Sequence, residues 1–266
     1  MSLEHLLSPS TAPLKTLSLD RYSISPLESV PHEIILSNDQ ELLFYPLIGR
    51  ARCVIDKQYD LVLGGRGSVR EPAAGAIRLA PGAWYVDVYP IDREPVDFLL
   101  VRRDARADTA HEAKVSAIFC PEHAWLRRQV GAGTHQRMVA DLVQPTGYHI
   151  AAGETLNVPG AWSSHPAHAT EKDKQRLLAG DVTWEECFFV ICPGYGIIHL
   201  DGLYHDGKQV QETRQVRNGE ALVTPLGSHP IVASPGDWLW YAWFFTGTAL
   251  QKTYNTKATD VKTYVK

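Results

Sequence analysis

The sequence predicts an all-β protein made of two tandem β-barrels. Short runs rich in Val, Ile, Tyr, Phe and Trp recur along the 266 residues, with 17 prolines and 20 glycines scattered between them. Many short strands with frequent turn residues are typical of sandwiches and barrels rather than of alternating βα units. A weak repeat of one strand-and-corner pattern indicates that the barrel occurs twice.

The candidate strands are distributed over both halves of the chain. In the first half they cover residues 33–36, 51–55, 76–79, 84–89 and 97–101. In the second half they cover residues 187–192, 196–200, 209–213, 221–224 and 238–245. The last of these contains three tryptophans, and we expect it to pack as a barrel wall or at a subunit interface. Helical periodicity is weak, and the best helical candidate is residues 121–130, where Pro121 suits a first turn.

The repeat consists of a glycine, five residues of strand character and a proline corner. It runs from Gly75 to Pro81 in the first half and from Gly219 to Pro225 in the second. Turn glycines and prolines of this kind re-aim a chain. Only the second copy ends in a histidine, His229. We therefore predict a barrel without a metal over residues 1–120, a connection over 121–144, and a barrel with a metal site over 145–266.

Composition and charge exclude several classes of protein. Hydrophobic residues make up 44% of the chain, charged residues 21%, and the net charge of -4 leaves no basic stripe for nucleic acid. The longest apolar runs are too short to span a bilayer, and the first residues do not read as a secretory signal. Four cysteines without a close C-x-x-C pair suit a reducing compartment, so we expect a cytoplasmic protein.

Separated side chains in the second half form a candidate metal site. His168, Glu186 and His229 are ligand types that divalent transition metals bind, and His165 could add a fourth. They lie far apart in sequence, so only a fold that turns back on itself can bring them together. An ion held by three or four such ligands could bind substrate oxygens and act as a Lewis acid.

The same residues also have less specific interpretations. The chain has 11 histidines, and a single histidine is more often a surface or core residue than a ligand. Glu185 and Glu186 are neighbours that a strand would point to opposite faces, so only one can look into a barrel. The apolar run that follows does not alternate cleanly, and periodicity therefore does not choose between them.

Several motifs in one order resemble the bicupin isomerase family, which includes the 5-deoxy-glucuronate isomerases of bacterial myo-inositol catabolism. They are residues 63–69, 131–139, 159–164, His168, 185–186, 216–219, 225–230 and 239–241. The resemblance implies two tandem cupin barrels, jelly-roll-like, with few short helices. It also implies a metal-dependent aldose–ketose isomerase for a uronic-acid-like sugar acid. In the family, ring-opened 5-deoxy-glucuronate becomes 2-deoxy-5-keto-gluconate.

The resemblance places metal ligands on His168, Glu186 and His229, with one departure. The family has a second histidine two residues after the first, and here that position is Thr170. A hydroxyl is a poor neutral ligand for zinc or manganese. His165 could replace the missing imidazole if Pro166 bends the backbone, and Glu171 or Asp173 could also fill the gap. A shifted four-ligand site, a weaker three-ligand site and a barrel without metal all remain open.

The expected chemistry needs one divalent metal ion, a base and a cation for the substrate carboxylate. Zinc or manganese is the expected ion, with iron or nickel as alternatives. The base candidates are Glu185, Tyr241 and a metal-bound hydroxide. Arg137 is the candidate for the carboxylate because arginine binds carboxylates bidentately, although it could equally be a surface or interface residue.

Three other functions stay open at this point. They are an isomerase for a different sugar acid, an iron-dependent cupin oxygenase, and a non-catalytic sugar-binding bicupin. Two histidines and one carboxylate with open positions are typical of iron oxygenases. In every case we expect a small-molecule sugar acid as ligand, no nucleic-acid or membrane partner, and a homodimer or larger homo-oligomer.

Overall fold

The computed structural model describes residues 1–26, 32–36, 39–72, 75–91, 94–105, 115–119, 127–143, 149–164 and 171–247. It divides into two compact units. The first contains Met1–Thr11 and Thr16–Arg128, and the second contains Ala12–Lys15 and Gln129–Lys266. The division differs from the predicted one because residues 129–130 and 137–143, placed in the predicted connection, belong to strands of the second unit's sheet.

Nine strands of the first unit lie within the described ranges. They are β1 (Ser2–Leu7), β2 (Leu17–Ile24), β3 (His32–Leu36), β4 (Gln40–Ile55), β5 (Tyr59–Arg66), β6 (Gly75–Leu79), β7 (Trp84–Pro90), β8 (Val96–Asp104) and β9 (Val115–Phe119). The main path of the sheet runs β1-β2-β8-β4-β6-β9, and β3, β5 and β7 join it through β4 and β7. All five strands predicted in this half are present.

The long strand β4 bends the first unit's sheet into a barrel. Its first part pairs with β8 and β6, and its second part pairs with β5 and β7. The pairing register shifts on both sides of the bend, where Gly49 has φ +76°. A Cβ at Gly49 would lie 2.2 Å from the carbonyl oxygen of Pro95. Only glycine therefore fits this corner, which allows one strand to serve both sides.

The second unit has eleven strands and one α-helix among the described residues. They are β10 (Arg128–Val130), β11 (Arg137–Val143), β12 (Ala151–Asn157), β13 (Trp162–Ser163), α1 (Glu171–Leu178), β14 (Glu185–Ile191), β15 (Tyr195–Leu203), β16 (Gln209–Arg217), β17 (Ala221–Thr224), β18 (Leu226–Ser228), β19 (Ile231–Ala233) and β20 (Leu239–Thr246). A 3₁₀ turn spans Gly133–His135. The expected helix over 121–130 is wrong at its end, because 128–130 is strand, and residues 121–126 lie outside the described ranges.

Two sheets of the second unit share one core. One sheet has the order β10-β11-β12-β20-β14-β17, and the other has the order β13-β19-β15-β16 with β18 also on β15. The core cluster draws Phe188 and Tyr241 from the first sheet and Ile198 and Ile231 from the second. The inner faces of the two sheets therefore face each other, as in a jelly roll.

The predicted aromatic strand is β20, and its rings are used inside the unit. Tyr241, Trp243 and Phe245 belong to the core cluster, and Trp240 on the other face is fully buried. Gly153 makes room for the Trp243 indole, since a Cβ there would lie 2.1 Å from its Cζ2 atom. The strand is thus a packed barrel wall. Within the described ranges, no helix is long and apolar enough to cross a membrane.

Candidate metal centre

Glu186 is the member of the carboxylate pair that faces the interior of the second barrel. It lies on β14, two residues before Phe188 and four before Val190, and both of those belong to the core cluster. Alternate residues of a strand share a face, so the Glu186 side chain points to the same side. The structure thereby decides what the periodicity of the sequence left open.

The Glu186 carboxylate is buried and oriented by a threonine of the neighbouring strand. Thr224 on β17 is its direct cross-strand partner, and the Thr224 hydroxyl donates a hydrogen bond of 2.8 Å to Glu186 Oε2. Burial raises the pKa of Glu186 to about 7, and the hydrogen bond from Thr224 opposes this rise. Desolvation penalises the charged form, so a cation beside this carboxylate would be strongly favoured.

The local chain after β17 returns His229 toward the same carboxylate. Pro225 forms the corner, and Gly227 in β18 allows close approach to β15, since a Cβ there would lie 2.2 Å from Asp201 O. His229 is completely buried, and its Nδ1 lies 3.3 Å from the carbonyl oxygen of Pro225. A carbonyl can only accept, so Nδ1 carries the hydrogen, and in neutral imidazole Nε2 then presents a lone pair.

The separation of the two side chains suits a shared metal ion. His229 Nε2 lies 3.4 Å from Glu186 Oε2, which is longer than a good N–H···O hydrogen bond. Two donors on one tetrahedral ion with bonds of about 2.0–2.1 Å are about 3.3–3.4 Å apart. The nitrogen and oxygen donors are also types that zinc and manganese accept. On this observation the residues fit a divalent metal.

Aromatic rings surround the imidazole and keep its surroundings apolar. Phe188 meets the His229 ring edge to face at 5.6 Å between centroids, and Trp184 lies 6.5 Å away at 45°. Trp184 also packs against Phe245 at 4.8 Å. Such surroundings strengthen electrostatic interactions with the buried donors because little water screens them.

The remaining predicted ligands lie outside the described residues. His165, His168 and Thr170 fall in the range 165–170, which lies between described segments. Asp173, one of the alternatives, lies on α1, where its carboxylate is 3.9 Å from Arg176 Nη1. In the described part of the chain no three His, Cys, Asp or Glu side chains meet as a metal cluster. The structure therefore places two of the four predicted ligands together.

Glu185, a candidate base, lies on the other face of β14. Its neighbours on that face are Cys187 and Phe189, which are buried outside the core cluster that contains Phe188. Glu185 Oε2 accepts a hydrogen bond of 2.9 Å from the backbone N–H of Lys15. This carboxylate therefore fastens the Ala12–Lys15 segment to the second unit and does not join the Glu186–His229 pair.

Tyr241, the other candidate base, belongs to a buried hydroxyl network. Its O–H donates to Ser163 Oγ at 3.0 Å, and Asn157 Nδ2 donates to the same oxygen at 2.9 Å. Ser163 Oγ in turn donates to Ile231 O at 3.4 Å. Because the phenol proton is directed at Ser163, the contact of 3.1 Å between Ser164 Oγ and the phenol oxygen must be donated by Ser164.

The Tyr241 hydroxyl is separated from the Glu186–His229 pair. Burial raises the pKa of Tyr241, while its hydrogen bonds and the charge of Arg137 lower it. The Phe188 ring contacts both the Tyr241 ring, at 4.5 Å between centroids, and the His229 ring, at 5.6 Å. Along β20 the partner of Glu186 is Phe245, four residues or about 13 Å of strand from Tyr241. The phenol is thus held by protein partners at another level of the barrel.

Arg137 lies at the far end of the same inner face. It is the cross-strand partner of Asn157, which is paired in turn with Leu239. That row is six residues, or about 20 Å, from the Phe245 row that holds Glu186. Arg137 Nη1 donates a hydrogen bond of 3.0 Å to His135 O. The structure places Arg137 near Tyr241 rather than beside Glu186 and His229.

Sequence reasoning missed the residues that orient the site. Thr224 stands directly before Pro225 in the repeated pattern, which was a usable signal, because a strand residue at a corner can face a ligand. Ser163 and Ser164 lie in the motif 159–164, but nothing local marks their partner Tyr241. Asn157 has no sequence signal at all, although it is fully buried and bonded to Ser163.

The chain folds into two successive units of curled antiparallel sheet, which define a bicupin protein. The second unit holds a buried carboxylate and imidazole, which form a candidate metal centre in the carboxy-terminal barrel. The solved structures to which the chain is similar agree with this fold. The chain belongs to the KduI/IolB family, whose model matches residues 3–263. This confirms the resemblance noted from the sequence motifs.

Three known proteins illustrate the similarity. A 5-deoxy-glucuronate isomerase of Geobacillus kaustophilus (strain HTA426) is 33% identical over 110 residues, which are 40% of this chain and 38% of that relative. An IolB-like protein from Salmonella typhimurium LT2 has a TM-score of 0.70 at 19% identity and covers 91% of this chain and 88% of its own. A Bacillus subtilis oxalate decarboxylase with Mn(II) centres has a TM-score of 0.51 at 14% identity, covering 87% and 69%.

These matches are extensive enough to show the fold but not the activity. The alignment to the Geobacillus isomerase spans well under half of that relative's length. The two solved structures, at 19% and 14% identity, speak for the fold alone. The family and the fold are therefore established, and the reaction is treated below as a proposal.

Proposed function

We propose that this protein is a metal-dependent aldose–ketose isomerase for a uronic-acid-like sugar acid, most directly the conversion of 5-deoxy-glucuronate to 2-deoxy-5-keto-gluconate. The observation that carries the proposal is the buried Glu186–His229 pair with its 3.4 Å separation of donor atoms. The curated relatives, which are named 5-deoxy-glucuronate isomerases, support the substrate. The proposed setting is the cytoplasm, with the chain assembled as a homodimer or larger homo-oligomer.

The proposed ligands are Glu186 and His229 together with His168, and His165 as the fourth. When bound, a divalent ion would polarise the carbonyl and adjacent hydroxyl of the open-chain sugar and stabilise the charge of an ene-diol intermediate. Zinc and manganese both suit a mixed imidazole and carboxylate set. The Mn(II) centres of the oxalate decarboxylase neighbour favour including manganese in the first tests.

The chain's own residues orient the ligand side chains and exclude water from the site. Thr224 holds the Glu186 carboxylate, and Pro225 O holds the His229 ring with Nε2 toward that carboxylate. Phe188 and Trp184 limit access of water, which would otherwise weaken charge stabilisation at the site. Arg137 was expected to bind the substrate carboxylate, but its row lies about 20 Å of strand from the Glu186 row, which is more than a six-carbon acid spans. The proposal therefore gives Arg137 no contact with a substrate bound at the Glu186–His229 pair.

Isomerisation moves a proton between adjacent carbons and therefore needs a base. Neither of the two candidate bases, Glu185 and Tyr241, is given that role in this proposal. Glu185 accepts the Lys15 amide on the outer face of its strand, and Tyr241 directs its proton to Ser163. We therefore propose positioning roles for both. The Glu185 carboxylate thus contacts the Lys15 amide, and the Tyr241 phenol contacts Ser163.

The test combines metal analysis with an anaerobic activity assay. The full-length protein is purified, its metal content is measured, and the zinc-loaded and manganese-loaded forms are incubated with 5-deoxy-glucuronate without oxygen. The expected result is one ion per chain and formation of 2-deoxy-5-keto-gluconate. A metal-loaded but inactive protein would exclude this substrate, and iron-dependent oxygen uptake with a sugar acid would replace the isomerase by an oxygenase.

A further inference from the structure

We infer that Thr224 is a positioning residue that sets the metal affinity of the second barrel through Glu186. The inference rests on the proposed function, because it concerns the ligands of the proposed ion. Nothing in the sequence motifs assigns Thr224 a role. It is distinguished by its contacts alone.

The first observation is the geometry of the Thr224–Glu186 contact. The two residues are direct cross-strand partners of β14 and β17, and the 2.8 Å hydrogen bond joins Thr224 Oγ1 to Glu186 Oε2. Thr224 is 1% exposed, so water cannot replace its hydroxyl as the donor. A buried carboxylate that keeps one protein donor has its rotamer fixed before any ion arrives, which lowers the entropy cost of binding.

The second observation is that one corner of the chain orients both donors. Thr224 contacts Glu186 through its side chain, and the next residue, Pro225, receives His229 Nδ1 through its carbonyl. The Thr224–Pro225 corner therefore sets the direction of the carboxylate and the tautomer of the imidazole together. Pro225 acts through its backbone, which a side-chain change cannot remove, whereas the Thr224 hydroxyl can be deleted. Thr224 is thus the accessible test of this arrangement.

The hydroxyl group, not the shape of the side chain, is the part that acts. Thr224→Val replaces the hydroxyl by a methyl group of similar size, and Thr224→Ser keeps the hydroxyl without the methyl. Loss of an outer hydrogen bond to a metal ligand typically weakens metal binding about 10–100-fold. We expect this loss in Thr224→Val and a change of less than about threefold in Thr224→Ser.

A matched control lies at the other carboxylate. Thr246 on β20 is the cross-strand partner of Glu185 and is also buried, but it stands beside the carboxylate that faces away from the site. Thr246→Val therefore makes the same chemical change outside the metal centre. We expect it to leave metal affinity unchanged.

The experiment measures the dissociation constant of Zn²⁺ for the full-length protein by competition with a chromophoric chelator, with circular dichroism of each metal-free variant as the check on folding. Visible absorption of the Co²⁺-loaded protein gives a second readout, since a displaced carboxylate changes the ligand field. Should Thr224→Val fail to fold, Thr224→Ala is measured instead. The supporting result is weaker binding in the hydroxyl-free variant, with Thr224→Ser and Thr246→Val close to the unmodified protein.

Two outcomes overturn the inference and differ in what else they affect. If the unmodified protein binds one Zn²⁺ and Thr224→Val binds it equally well, or if Thr224→Ser is as weak as Thr224→Val, the positioning role is wrong and the proposed function stands. If the unmodified protein binds no ion at all, the proposed metal centre fails and this inference fails with it.

Discussion

The two barrels differ in the residues that one pair of neighbouring strands places on the inner face. In the first, the inner face pairs Leu42 with Leu79 across β4 and β6, and Phe44 with Ile77 in the next row. In the second, β14 and β17 pair Glu186 with Thr224 and then Phe188 with Leu222. Each pair of strands thus carries a row with one phenylalanine, but the row beside it is a leucine pair in the first barrel and a carboxylate with its hydroxyl donor in the second.

The difference shows how small a change separates a core from a site. A leucine pair in this position contributes to stability through buried apolar area, at about 25 cal/mol per Å². A carboxylate in the same position costs stability unless hydrogen bonds and a cation compensate. If the second barrel holds the proposed ion, that cation would offset the cost of burying the carboxylate in this row.

The most direct way to break the comparison is to convert the polar row into the leucine row. We expect Glu186→Leu combined with Thr224→Leu to abolish ion binding and lower isomerase activity more than about 1,000-fold, since the electrophilic group is lost. The metal-free variant should be at least as stable as the metal-free parent, because a buried polar pair is replaced by apolar groups. Urea denaturation and a metal titration measure both effects.

Glu185→Gln is the control for this double variant. It alters the neighbouring carboxylate on the outer face, so it should keep the ion and most of the activity. Loss of the ion in Glu185→Gln would show that the two faces of β14 are not independent and would undo the assignment of Glu186 as the ligand.

A change in the first barrel should affect stability and leave ion binding alone. Phe44 is fully buried, and Phe44→Ala should lower the free energy of unfolding by about 3–5 kcal/mol. The dissociation constant for Zn²⁺ should match that of the parent under conditions where both are folded. A shift of more than a few-fold would mean that the first barrel takes part in the metal site.

Addition of the ion should stabilise the second barrel and leave the first barrel unchanged. At a free ion concentration 100 times the dissociation constant, the folded state should gain about 2.7 kcal/mol. Hydrogen exchange measured with and without Zn²⁺ should show the added protection in β14 and β17. Equal protection of β4 and β6 would count against a site confined to the second barrel.

The smallest effect is expected from Tyr241→Phe. The phenol proton is directed at Ser163, so its loss should cost about 1 kcal/mol of stability. The turnover number should fall less than about tenfold. A general base typically contributes 10²–10⁴-fold. A loss of that size with unchanged metal affinity would restore Tyr241 as the base.

The fold and the candidate ligand His229 could be predicted from the sequence for a physical reason. The turn glycine and proline corner that precede His229 are local, and local turn chemistry is legible without the structure. Strand composition likewise identified ten of the twenty strands found among the described residues. The strands β10 and β11 were assigned to a connection, and only the pairing of β11 with β10 and β12 shows that they belong to the second unit's sheet.

Roles that depend on distant partners could not be predicted. Glu185 is bonded to Lys15, 170 residues away, and Tyr241 to Ser163, 78 residues away. Whether Glu185 or Glu186 faces inward depends on the register of β14 against β17, and a shift of one residue would exchange them. Register is set by long-range packing, so both carboxylates remained candidates until the pairing was known.

The segment Ala12–Lys15 has a consequence for anyone who divides this gene. It is part of the second unit, where the Lys15 amide reaches Glu185 and Pro13 O accepts from His205 Nδ1 at 2.9 Å. A fragment that starts at Gln129 would carry every proposed ligand, but it would lack the contacts that this segment makes with Glu185 and His205. A fragment meant to fold as the second unit alone should therefore have residues 12–15 joined to it and should not be a simple truncation.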